Sequence, residues 1–219
     1  MFVVLGVAAC GGTAASTPPS AAPSPSAAPP VSASASAVAS ASTAAEPAIA
    51  WPAPSDPLER AVAAGLEPAD REHLAHHVHS HLDVFVDGKK VVVPAGIGIN
   101  IDDPAVRHFE NPIGYGGIEQ CAQPCISPLH THDETGILHT ESRETRANTL
   151  GQFFTEWGVK LSQSCVADYC DPTPVAVYVN GVPYDGDPAA IELTDQRVIV
   201  IAVGTPPDEI PSTADFSGA

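Results

Sequence analysis

Residues 129–141 read LHTHDETGILHTE, and they hold the residue types from which a divalent-metal site is made. The apolar and β-branched residues on either side of Asp133, Glu134, Thr135 and Gly136 predict a tight β-hairpin with those four residues as its turn. Side chains alternate along a strand, so His130 and His132 share a face, and the hairpin returns His139 and Glu141 beside them. Three imidazoles and one or two carboxylates around one turn match a metal's ligand set. The competing explanation is a polar, solvent-facing hairpin whose histidines have no joint role.

A second run weighs against that explanation. Residues 73–88 read HLAHHVHSHLDVFVDG, and all nine histidines of the chain lie between His73 and His139. From Val78 the run alternates, with Val78, Leu82, Val84 and Val86 to one side and His77, His79, His81 and Asp83 to the other. The His-x-His spacing thus occurs in both segments. If the two faces meet, His79, His81, His130 and His132 complete a site, with Asp133, His139 or Glu141 as further ligands or as groups that orient them. The alternative is a histidine-rich surface patch without defined geometry. His108, alone in a loop, reads as solvated.

The elements that position these residues follow from the pattern around them. Ser55, Asp56, Pro57 and Glu59 form a helix start, and Leu58, Val62 and Leu66 predict an amphipathic helix to about Gly65. Asp87-Gly88 is a hairpin turn from which residues 89–94 return as a strand. Residues 96–101 read as strand or extended loop, and residues 102–124 as a long irregular loop. Residues 148–158 predict a helix capped by Asn148 or Thr149 and ended by Gly158, with a stripe of Leu150, Phe153, Phe154 and Trp157 facing the core. Residues 174–181 (PVAVYVNG) echo residues 81–88 (HLDVFVDG), each a strand running into a turn. Residues 191–203 supply one bent strand or two around a turn at Thr194 to Gln196, and a polar tail begins at Pro206. The order ββ(ββ)αβββ predicts an α+β fold with a β-grasp-like mixed sheet, one aromatic-faced helix and an inserted His-bearing hairpin; a small β-sandwich is the alternative.

Cys121, Cys125, Cys165 and Cys170 allow three disulfide connectivities, and their spacings also fit a four-thiolate zinc site. Outside the cytoplasm thiols oxidise, which favours two disulfides. The leader points to that compartment. Residues 1–9 are apolar and approach Cys10 through small residues, which resembles the lipobox of bacterial lipoproteins, although no Lys or Arg precedes them. The run is too short to span a bilayer as a helix. Residues 11–54 are nearly all Ala, Ser, Pro and Thr, with too little to bury to offset the entropy of ordering. They predict a disordered tether (or a glycosylated stalk) below one folded domain over residues 55–205, with residues 206–219 as a flexible tail. The expected location is extracytoplasmic, with a lipid on Cys10 anchoring the chain to the bacterial cell envelope. A net charge of −17 excludes a nucleic-acid-binding surface.

Residues 74–204 also resemble an uncharacterised family of exported bacterial proteins. The motifs that carry the resemblance are HSHLDV at 79–84, VPAGIGI at 93–99, LHTHD at 129–133, GILHTES at 136–142 and LGQFFTEWG at 150–158. The resemblance implies an exported domain and supplies no activity. The CAQPC loop at 121–125 departs from it, since the family is associated with a single cysteine near that hairpin.

The leading expectation is therefore a tethered domain that holds Cu(II) or Zn(II) through neutral imidazoles, with binding weakened below about pH 6. The only Met is at position 1, so no thioether Cu(I) site is available. A metal-dependent enzyme would need an open coordination position and a base such as Glu141 or Asp133. No His-Glu-x-x-His motif is present, and no Ser or Cys nucleophile with a matched base stands out. A metal-free, pH-responsive interaction module is the third candidate. The protein partner stays open.

Overall fold

The structure is a computed structural model that describes residues 49–217. Cys10, the leader, residues 11–48 of the proposed tether and residues 218–219 lie outside the described residues. In chain order the elements are β1 (Ile49–Ala50), α1 (Pro57–Ala63), β2 (His76–Val86), β3 (Lys89–Val92), β4 (Arg107–Glu110), β5 (Ile113–Gly116), β6 (Leu129–His130), β7 (Ile137–Ser142), β8 (Asn148–Thr149) and α2 (Leu150–Trp157). There follow β9 (Leu161–Ser162), β10 (Cys165–Val166), β11 (Tyr169–Cys170), β12 (Val175–Val179), β13 (Val182–Pro183), a 3-10 turn (Pro188–Ala190), β14 (Glu192–Leu193) and β15 (Arg197–Val203).

The alternating run 76–86 becomes the central strand of a mixed sheet with order β1-β3-β2-β15-β12-β13. One edge of β2 is shared by two partners. Its first half pairs antiparallel with β7, from His76↔Ser142 to His81↔Ile137, and residues 84–86 pair with β3. Along its other edge β15 runs parallel, from Ser80↔Arg197 to Val86↔Val203. Strand alternation then separates two faces. Leu82, Val84 and Val86 join Leu129, Leu138, Ile199, Ile201 and Val203 in one core with the aromatic stripe of α2. Each fully buried side chain of this kind stabilises the fold by roughly 1.5–3 kcal/mol. His77, His79 and His81 of β2 fall on the opposite face.

Helix α2 follows its sequence signals. The Thr149 hydroxyl accepts from the Gln152 backbone N–H, the Gln152 side chain accepts from the Thr149 N–H, and Gly158 ends the helix in the left-handed region at φ 76°. Helix α1 departs from its expected face. Ala61 and Leu66 are buried, whereas Val62 is 63% exposed. The helix is short and sits beside α2, where Gln152 Nε2 donates to the Ala64 carbonyl at 3.1 Å and Arg146 Nη2 to the Gly65 carbonyl at 2.8 Å. The small side chain of Ala61 therefore points inward.

Two further stretches differ from expectation. Residues 96–101 form neither strand nor extended chain but a turn-rich loop, whose Ile97 and Ile99 are buried. Within residues 102–124, read as irregular, β4 and β5 form a hairpin from Arg107↔Gly116 to Glu110↔Ile113. Its Gly114 bridges to Asp133, so the loop is fastened to the His-bearing segment. The fold also takes in residues 49–54, which composition assigns to the tether: β1 pairs parallel with β3, and Trp51 packs on Trp157 with ring centroids 5.6 Å apart.

The cysteines pair locally, Cys121 with Cys125 and Cys165 with Cys170. The first pair sits in a small second core with Ile99, Val106, Ile118 and Ile126, just upstream of β6. The C-terminal segment starts beside the end of β2, where Thr205 N–H donates to Asp87 Oδ1 at 3.0 Å. It finishes beside the middle of the same strand, where Asp215 and Ser217 line a cavity with His81, Ile137 and His139.

Candidate metal centre

Register explains how distant histidines meet. His139 on β7 lies directly opposite His79 on β2 and opposite His130 on β6, so the three form one row across three adjacent strands. The next pair on the same face is His77 with Glu141. The expected strand 129–132 stops at His130, and His132 reaches the group by another route. Tyr115 N–H donates to the His132 carbonyl at 2.8 Å, and His132 Nδ1 donates to the Tyr115 carbonyl at 2.6 Å. Gly116 permits this approach, because a Cβ there would lie 3.2 Å from His132 Nδ1.

The result is a group of buried His130, His139 and Glu141 with half-buried His132, one donor atom from each lying within 4.8 Å of all the others. His130 Nε2 and His132 Nε2 are 3.2 Å apart. Glu141 Oε1 lies 3.5 Å from His139 Nδ1, 3.8 Å from His130 Nε2 and 3.9 Å from His132 Nε2. Metal–nitrogen bonds of about 2.0–2.1 Å in tetrahedral geometry set donors roughly 3.3–3.4 Å apart, so these separations suit one first-row divalent ion.

Hydrogen bonds to the main chain fix the tautomers. A carbonyl oxygen only accepts, so His130 Nδ1 must carry the proton it donates to the Ser127 carbonyl at 2.9 Å, as His132 Nδ1 does toward Tyr115. In the neutral rings both Nε2 atoms then present lone pairs to the same point. That is the arrangement by which proteins orient metal-binding imidazoles. His139 Nδ1 and Glu141 Oε2 are buried without a hydrogen bond of ordinary geometry. Buried polar atoms left this way are costly unless something else binds them.

Electrostatics agree. Burial, together with the neighbouring charge on His132, holds the His130 imidazole well below its ordinary range, and burial depresses His139 as well. Burial also opposes charge on His132, but the Glu141 carboxylate and the Tyr115 carbonyl outweigh it and raise its pKa. Burial alone would raise Glu141; the close imidazoles of His132, His139 and His130 instead carry it far below the usual carboxylate range.

The remaining expected ligands are placed apart. His79 belongs to a second group with His77 and His139, nearer the surface. His81 turns away, with Nε2 donating to the Thr135 carbonyl at 3.0 Å and Nδ1 3.6 Å from Asp83, whose other oxygen pairs with Lys90 Nζ at 2.6 Å. Asp133 spends Oδ1 on Thr135, accepting from its N–H at 2.9 Å and its hydroxyl at 2.5 Å, and so shapes the turn. Neither joins a group. His108 Nε2 donates to the Ile101 carbonyl at 2.7 Å and braces the β4–β5 hairpin. His77, on the right strand face but outside the expected ligand set, lies with Nε2 3.2 Å from Glu141 Oε1. Its place on the same strand face as His79 and His81 is the signal the sequence offers. The carbonyls of Ser127 and Tyr115 carry none in sequence, because every residue has one.

A cavity of about 470 Å³ opens onto His132, His139 and Glu141 and is walled by Leu74, Phe109, Ile113 and Tyr115. Fold and site together define an α+β domain with disulfides and with His/Glu groups capable of coordinating a metal ion. No protein-family model, no curated protein and no solved structure matches the chain.

Proposed function

We propose that this chain is an extracytoplasmic binding domain that holds one divalent transition ion, copper or zinc, through His130, His132, His139 and Glu141. The observation that carries this is the convergence of two tautomer-fixed Nε2 atoms, 3.2 Å apart, beside a buried carboxylate. Three nitrogens and one oxygen suit Cu(II) and Zn(II), and copper binds such donors more tightly in the usual order. A lipid on Cys10 and a tether through residues 11–48 would hold the domain off a membrane. Two disulfides fit an oxidising compartment. Among the described residues no helix is long and apolar enough to cross a bilayer. The order β3-β2-β15-β12, with β2 and β15 parallel and α2 across them, supports the β-grasp layout with β6–β7 as an inserted hairpin.

The cavity favours a second reading, a metal-dependent enzyme whose reactant enters beside Leu74 and Phe109. That function needs an exchangeable water on the ion, with Glu141 or a neighbour as base.

The test is elemental analysis of the untagged full chain and of a His130→Ala, His132→Ala variant. One equivalent of copper or zinc in the native chain, lost in a variant with unchanged circular dichroism, is the expected result. No bound metal after reconstitution with either ion would overturn the proposal.

A further inference from the structure

A second histidine group lies beside the buried one. His77 and His79 bring their Nε2 atoms to 2.9 Å of one another, and one donor from each lies within 4.8 Å of one on His139. His139 thus belongs to both groups, stacked against His130 (5.4 Å, interplanar angle 11°) and edge-on to His79 (4.6 Å, 79°). Its Nδ1 faces Glu141, and an imidazole has a second nitrogen to offer. Glu141 links the groups too, through the 3.2 Å approach of His77 Nε2 to the same Oε1 that faces the buried histidines.

We infer that the chain carries a paired metal centre, in which His77, His79 and His139 bind a second divalent transition ion and His139 bridges it to the buried one. The inference rests on the function proposed above. When His139 serves both ions, its remaining ring proton leaves to solvent and the imidazolate donates one lone pair to each metal. The outer ion would have three protein nitrogens and a fourth position for a solvent-derived ligand, and its ligand His77 lines the 470 Å³ cavity. Three imidazoles with an open position are the donor set of metal ions that bind or activate water and other small oxygen ligands. The buried ion, with four protein ligands, is the structural partner.

The experiment is a Cu(II) titration of the metal-free full chain, followed by elemental analysis and electron paramagnetic resonance. The same titration is run on His79→Ala, on His79→Gln in case the smaller side chain perturbs β2, and on His76→Ala as a control for surface histidines. The expected native result is two tightly held ions, with the signal of the first equivalent lost through exchange coupling as the second binds. Either His79 variant should hold one ion and keep its full signal, while His76→Ala should match the native chain. One ion in the native chain would overturn this inference and leave the buried site standing. Two ions with independent signals would overturn the shared ring. Two ions in both His79 variants would overturn the ligand set. No metal at all would sink the proposed function itself.

Discussion

His130 and His132 point their Nε2 atoms at each other across 3.2 Å, while each Nδ1 is tied to a main-chain carbonyl. Two lone pairs facing one another repel unless a proton or a metal ion sits between them. Single replacement of His130 or His132 by alanine should therefore weaken Zn(II) or Cu(II) binding by more than the roughly 10–100-fold typical of residues that merely orient ligands. Competition against a chromophoric chelator measures this; an unchanged affinity in both variants would place the ion elsewhere.

Protons and metal compete for His132. Its pKa is raised above 6.5, so below that raised value the imidazolium must lose its proton before an ion binds. Apparent affinity should fall by about tenfold per pH unit below that point. The fall should begin at a higher pH than for an unperturbed histidine. Calorimetry in buffers of different ionisation enthalpy should find about one proton released at pH 6 and fewer at pH 8. A flat profile from pH 8 to 5 would contradict this.

Gly116 is a test of positioning without loss of a ligand. An alanine Cβ would press on His132 Nδ1 at 3.2 Å and break its alignment with the Tyr115 carbonyl. Gly116→Ala should lower metal affinity by about 10–100-fold with the thermal midpoint of the metal-free chain little changed. Equal affinity would mean that the β4–β5 hairpin does not hold His132 in place.

Glu156 lies on α2 with 0% exposure, and neither carboxyl oxygen has a hydrogen bond of ordinary geometry. Burial pushes its pKa well above the carboxylate range, against the pull of the Ser127 hydroxyl. Above pH 4.5 the unfolded chain releases this proton while the folded chain keeps it, so Glu156 costs stability as pH rises toward its folded pKa. The slope in that window is up to about 1.4 kcal/mol per pH unit. Glu156→Gln should thus stabilise the chain more at pH 8 than at pH 5, as read from urea unfolding at both. A gain independent of pH would show that the carboxyl is ionised in the fold.

Much of the architecture was legible in the residues themselves because it rests on local rules. Alternation along 78–86 set the two faces of β2, the i, i+3, i+4, i+7 stripe set the buried side of α2, and Asp-Gly and Asn-Gly marked the turns. His130, His139 and Glu141 were legible for the same reason, since one hairpin carries all three. What depended on tertiary structure was register and approach. The offset that seats His79 and His130 on either side of His139, and turns His81 to Thr135 instead, is a property of how β7 docks on β2. No residue type encodes that offset. Likewise His132 leaves its strand and is recovered by β5, through main-chain groups that look alike at every position. Residue types and their alternation set which chemistry is available and on which strand faces it lies. Only the docking of β2 and β5 on the β6–β7 hairpin decided which nitrogens converge, because convergence depends on ångström distances between segments whose separation along the chain says nothing of their register.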